Sequence, residues 1–241
     1  MKSAGETAMT LLAGSVLAMA LATTLFVCGH FLMSHPLRGP LQRLVGAKAF
    51  PGVYAVIVGI GLAWMIFAHS RAPYVALWGD PIWARHLLLL IMIPSTLLVV
   101  IGNGTPSPGT AGAEKKPFDY ADGLGIHAIV RHPGLWGFAL WALGHMIANG
   151  DAATVILTGG IALLAFGGMV GIDARKSRDF PETYPAFVAH TSNIPFAAML
   201  DGRTRFNFAK LGLRRLAIAI VVYVVLLFGH GWFIGRSALP L

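Results

Sequence analysis

Six stretches of unbroken apolar sequence decide what this chain can fold into: Met9 to Met33, Val53 to Ala68, His86 to Ile101, Leu135 to Ala148, Ala152 to Ile172 and Leu213 to Ile234. A bilayer core about 30 Å thick is crossed by about 20 apolar helical residues. The first, fifth and sixth stretches supply that length and the second, third and fourth approach it. The runs are continuous rather than alternating, which argues against a transmembrane β-barrel. With 56% hydrophobic residues, 12% charged and a mean hydropathy of +0.70, a soluble globule has nowhere to bury this surface. The expected fold is all-α, a polytopic membrane helix bundle of about six transmembrane helices. It forms a single membrane domain over residues 1–241, with no soluble module and no internal repeat.

Lys2 before an apolar stretch resembles a signal peptide, but the stretch runs past Ala20 and Ala22 to Met33, so it reads as a retained span. The net charge of +8 does not indicate nucleic acid, because its distribution follows topology. Fourteen cations, among them Arg38, Lys48, Lys116, Arg131, Arg175, Arg203 and Arg215, fall in alternate connections, against Lys2, Arg71, Arg85 and Arg236 elsewhere. This bias places the connections at about 34–52, 102–134 and 173–212 in the cytoplasm and both termini outside, in the periplasm of a bacterial inner membrane. The connection after Gly102 opens on a Gly/Pro/Ser-rich run and should be irregular. The connection from Asp173 to Gly212 mixes charge with aromatic residues and should be partly helical, lying against the membrane surface. Asn149, Gly150 and Asp151 alone separate the fourth and fifth spans, which makes those two an antiparallel hairpin. Cys28, the single cysteine, reads as a small buried apolar residue.

Nine histidines in so uncharged a chain are its candidate chemistry: His30, His35, His69, His86, His127, His132, His145, His190 and His230. An imidazole in hydrocarbon needs a hydrogen-bond partner or a metal. Gly137, Trp141, Gly144 and Ala148 line the helical face of His145, and Ala22, Thr23, Phe26, Val27 and Ser34 that of His30. Such stripes leave a groove for a flat macrocycle or, equally, serve close helix packing. Glutamate occurs only at positions 6, 114 and 182, and no span carries an acidic residue away from its ends. That argues against proton relays and carboxylate-bridged iron, leaving imidazole-bound metal such as haem as the cofactor class.

The stretch Arg131-His132-Pro133-Gly134-Leu135-Trp136-Gly137 through Trp141, Gly144 and His145 to Asn149-Gly150-Asp151 resembles the core of the NnrU family. Gly29-His30, Val45 to Phe50 and Thr191 to Arg203 extend the resemblance over nearly the whole chain. The family includes bacterial membrane proteins named from denitrification loci and the plant 15-cis-ζ-carotene isomerase, a haem b membrane enzyme. The resemblance implies haem b, with His30 and His145 as iron ligands and catalytic pair. It also implies a cofactor-binding neighbourhood that takes in His132, Arg131 and Trp141. Arg131 could pair with a haem propionate or be an ordinary positive-inside arginine. Ala142 stands where the family's haem scheme considers a cysteine, which counts against a thiolate switch. Helical rise separates His30 from His145 by roughly 12 to 18 Å in depth. His132 lies nearer the depth of His30, while His86 and His230 compete for His145. The activity implied is cis–trans isomerisation of a carotenoid-like polyene drawn from the lipid bilayer. The alternative is a haem-binding accessory or sensor of nitric oxide, served by an electron donor. A methyltransferase of the isoprenylcysteine type shares an R-H-P start but needs a later glutamate pair, which is missing after Glu182.

Overall fold

The computed structural model describes residues 12–239. The described residues form α1 (Val16–Ser34), α2 (Arg38–Val45), α3 (Phe50–Arg71), β1 (Ala76–Gly79), α4 (Ile82–Asn103), α5 (Ile126–Ile129), α6 (Pro133–Ala148), β2 (Gly150–Asp151), α7 (Ala152–Asp179), α8 (Tyr184–His190), α9 (Ala197–Leu200), a 3₁₀ turn (Phe208–Leu211) and α10 (Leu213–Ile234). Five of these helices, α1, α3, α4, α7 and α10, are long and apolar enough to cross a membrane. The fold is the expected all-α polytopic bundle. The start of the first apolar run, before Leu12, lies outside the described residues.

Local chemistry sets the ends. The Ser15 hydroxyl accepts the Ala18 N–H at 3.0 Å and caps α1, and Pro36 follows its last turn. Pro51 sits in the first turn of α3, and α3 stops at Arg71 ahead of Ala72-Pro73. These boundaries lengthen the second apolar run to 22 residues, and α4 likewise reaches 22. The fourth run gains little. Pro133 begins α6 and Asn149-Gly150 ends it, so α6 has 16 residues, about 24 Å of rise. The 28 residues of α7 carry it about 42 Å, past the apolar stretch and on to Asp179.

The chain packs into two compact units. The first takes the described residues up to Pro81 together with His145–Leu164. Its core joins Met19, Ala22, Phe26 and Val27 of α1 to Met65 and Ala68 of α3 and Ala153 of α7. Two glycines allow the approach: a Cβ on Gly61 would meet the Phe26 ring at 3.2 Å, and one on Gly160 would meet Thr23 Cγ2 at 2.3 Å. The expected turn between α6 and α7 is there, and β2 within it pairs antiparallel with β1. A Cβ at Gly150 would strike the Trp78 ring at 2.3 Å, so the pairing needs a glycine. Cys28 is exposed on α1 rather than buried as expected, since the face that packs on α3 and α7 is the one carrying Thr23, Phe26 and Val27.

The second unit comprises Ile82–Gly144 and the chain from Ala165 on. Leu98 and Ile101 of α4, Ile126 and Val130 around α5, Leu211 of the 3₁₀ turn and Ala219 of α10 make its core. The connection after α7 is partly helical as expected, with α8, α9 and the 3₁₀ turn. Backbone bonds fasten it to the earlier connection: Leu124 N–H to Arg205 O and Asn207 N–H to Leu124 O, each 2.8 Å, and Phe196 N–H to Ile129 O at 2.7 Å.

Candidate functional site

His30 lies in the last turns of α1, in the first unit. Its Nε2 is 2.7 Å from the Tyr54 hydroxyl of α3, and that hydroxyl is 3.1 Å from Ser34 Oγ. Ser34, one turn beyond His30, donates to the His30 carbonyl at 2.5 Å. The rings of Phe26 and Tyr54 stand 6.1 and 5.4 Å from the imidazole, the latter edge-on. The other ring nitrogen, Nδ1, is buried and has no hydrogen-bond partner. An orphaned nitrogen of this kind is a donor atom that a metal could occupy.

The small-residue stripes are filled by helices. On α6, a Cβ at Gly137 would lie 2.7 Å from Ser95 O and 2.5 Å from Val99 Cγ2, both on α4, and one at Gly144 would lie 2.9 Å from Leu88. Ser95 Oγ also donates to Gly137 O at 2.8 Å. On α1, the stripe below His30 is the face that receives Gly61 and Gly160. Close helix packing therefore accounts for both stripes, and the groove expected for a macrocycle is taken up by neighbouring side chains. The fit to haem rests on the His30 nitrogen and not on a preformed slot.

His145 belongs to the first unit and is half-buried on α6, where its carbonyl accepts from the backbone and side chain of Asn149. Its neighbour Met146 reaches Gly159, whose successor Gly160 abuts Thr23. His30 lies seven residues beyond Thr23, so the two histidines stand roughly 10 Å or more apart along the helix axes, in line with the estimate from helical rise. Trp141 is half-buried on the same helix.

Arg131 and His132, in the second unit, are brought together on one carboxylate. Asp173 Oδ1 accepts from His132 Nε2 at 2.7 Å and from the Tyr184 hydroxyl at 2.6 Å, while Oδ2 accepts from Arg131 Nη1 at 2.5 Å and Asn193 Nδ2 at 2.6 Å. A carboxylate offers about four lone-pair sites. All are used. The rest of the Arg131 guanidinium donates to Thr191 Oγ1 at 2.9 Å and to the Val188 and Thr191 carbonyls at 3.2 and 3.1 Å, capping the C-terminal end of α8. Arg131 is thus a buried clasp, and its anionic partner is Asp173. Burial and the bond to Asp173 together push the Tyr184 hydroxyl well above the usual phenol range, so it stays a donor. Sequence reasoning set carboxylates aside and so missed Asp173, with Tyr54, Tyr184 and Asn193. The available signal was an Arg-His pair at a helix start and Asp173, the first acidic residue after the fifth apolar stretch.

Among the described residues no group of three or more His, Cys, Asp or Glu is placed to hold a metal ion. The family described as NnrU protein matches residues 18–238. A chloroplastic 15-cis-zeta-carotene isomerase of Arabidopsis thaliana is 28% identical over 200 residues, 77% of this chain and 51% of that protein. The Zea mays protein of the same name is 25% identical over 201 residues, 78% of this chain and 51% of its own length. The chain spans about half the length of the curated relatives it matches. No solved structure matches it significantly.

Proposed function

Since the chain belongs to the NnrU family, we propose that it is a haem b-dependent cis–trans isomerase of a carotenoid-like polyene in a bacterial inner membrane. The observation that carries this reading is the similarity to two carotene isomerases across more than three-quarters of the chain. The five long apolar helices support it, because a polyene dissolved in lipid reaches such a protein laterally. His30 and His145 are the proposed iron ligands and catalytic pair, with Trp141 and His132 nearby in sequence. Bound haem would supply an iron that weakens one conjugated double bond without net oxidation or reduction of the polyene. An electron donor would keep the iron reduced. The chain's own contribution is to hold imidazole nitrogens in an apolar interior and to admit the substrate between lipid-facing side chains. The charge bias supports cytoplasmic connections at 34–52, 102–134 and 173–212, with both ends periplasmic.

The test is expression with haem supplied, in cells that accumulate a 15-cis polyene. The purified protein should show a haem absorption band that sharpens on reduction. Extracts should show the polyene isomerised, and His30→Ala with His145→Ala should abolish both. An absent band with isomerisation intact removes the haem. A band that responds to nitric oxide while the polyene is untouched would replace the enzyme by the sensing role.

A further inference from the structure

We propose that Tyr54 and Ser34 are positioning residues that hold His30 in a single tautomer, with hydrogen on Nε2 and a bare lone pair on buried Nδ1. The inference follows the hydrogens. The His30 carbonyl can only accept, so the Ser34 hydroxyl 2.5 Å away spends its hydrogen there. Ser34 Oγ must then accept in its 3.1 Å contact with Tyr54, which spends the phenolic hydrogen. The 2.7 Å contact between Tyr54 and His30 Nε2 has only one hydrogen left to use, the one on Nε2. A neutral imidazole carries one N–H, so Nδ1 is left as an acceptor. That atom is buried and unpartnered.

An unpartnered acceptor inside a membrane helix bundle is unfavourable. Three hydroxyl and ring contacts that enforce it make sense if Nδ1 serves as an electron-pair donor. Metal-ligating histidines characteristically donate their other N–H to a fixed acceptor, and Tyr54 is that acceptor here. Tyr54 comes from α3 and Ser34 from the next turn of α1, so the arrangement is fixed by two helices rather than by a loop. The ligand class is a Lewis-acidic metal centre. That assignment rests on the proposed haem reading, whereas the tautomer itself does not.

The experiment is nitrogen NMR of the full-length protein in lipid, with ¹⁵N-labelled histidine, at mildly alkaline pH and without added metal. The His30 signals are assigned by their loss in His30→Gln. A protonated, pyrrole-type Nε2 and a pyridine-type Nδ1 are expected. Ser34→Ala frees the phenolic hydrogen for Nε2 and should reverse the pattern, and Tyr54→Phe should leave a mixture of the two tautomers. A protonated Nδ1 in the wild type overturns the proposal, as does a pattern unmoved by Ser34→Ala. If Tyr54→Phe does not fold, the wild type and Ser34→Ala still decide. A protein with the expected tautomer that isomerises nothing would refute the enzyme reading and leave this one standing.

Discussion

Asp173 gathers four donors around two oxygens, and how it is removed should decide what is lost. Asp173→Ala strands the buried Arg131 charge and is expected to cost about 3–5 kcal/mol. Asp173→Asn keeps an acceptor and should cost less. Thermal unfolding in detergent separates the two, and equal, negligible losses would show that the clasp is not structural. His127 makes a second prediction. It is buried between the rings of Phe118 and Phe187, with its nitrogens 3.2 Å from the Arg131 and Thr105 carbonyls. Burial, the largest influence, lowers its affinity for a proton, and the nearby His132 adds to this. The folded state therefore takes up the proton later than the unfolded chain. Its stabilising effect is complete above the ordinary histidine value of about 6.5 and is lost as pH falls below it. Melting temperature should drop between mildly alkaline and mildly acidic buffer, and His127→Phe should flatten that drop. Neither residue stood out in the sequence. His127 was one of nine histidines, and Asp173 reads as the polar end of a span until Arg131 and His132 are seen to converge on it.

Elements were more legible than their partners. Continuous apolar runs located α1, α3, α4, α6, α7 and α10 because hydrocarbon is a demanding solvent for backbone, and prolines and caps explain where most of them end. The pairing of β1 with β2 was invisible, since it joins residues about seventy apart through a turn that local signals mark only as a loop. Small-residue stripes were seen but left two meanings, and only the positions of Ser95, Val99 and Leu88 resolve Gly137 and Gly144 as packing sites. Gly137→Ala should accordingly destabilise the protein by about 1–3 kcal/mol, since the added carbon falls on backbone and side chain of α4. Gly59→Ala on α3, where nothing lies within 4 Å, should be neutral or slightly stabilising. Denaturant titration of the pair checks both, and equal effects would contradict the packing.

For the whole molecule, the sequence pattern gives an insertion that structure alone does not carry. The proposed insertion, with both ends outside, needs six crossings, and its parity depends on α6, whose 16 residues are short for a bilayer. In a Cys28→Ser background, single cysteines near either terminus should react with an impermeant reagent from outside, and cysteines in the 102–134 connection should not. Protection of the carboxyl end alone would mean that α6 does not cross. The candidate site divides the same way: His30 and His145 are proposed from the resemblance alone, whereas the Tyr54 contact required the positions of α1 and α3. The central claim, isomerisation of a polyene by a member of this family, is tested most directly with purified protein in lipid vesicles holding a 15-cis polyene. Chromatography and mass spectrometry are read before and after reduction. The expected result is a new geometric isomer of unchanged mass that forms with the wild type and not with His30→Ala. An unchanged isomer ratio with reduced, haem-loaded protein, or a product heavier by a methyl group, would contradict it.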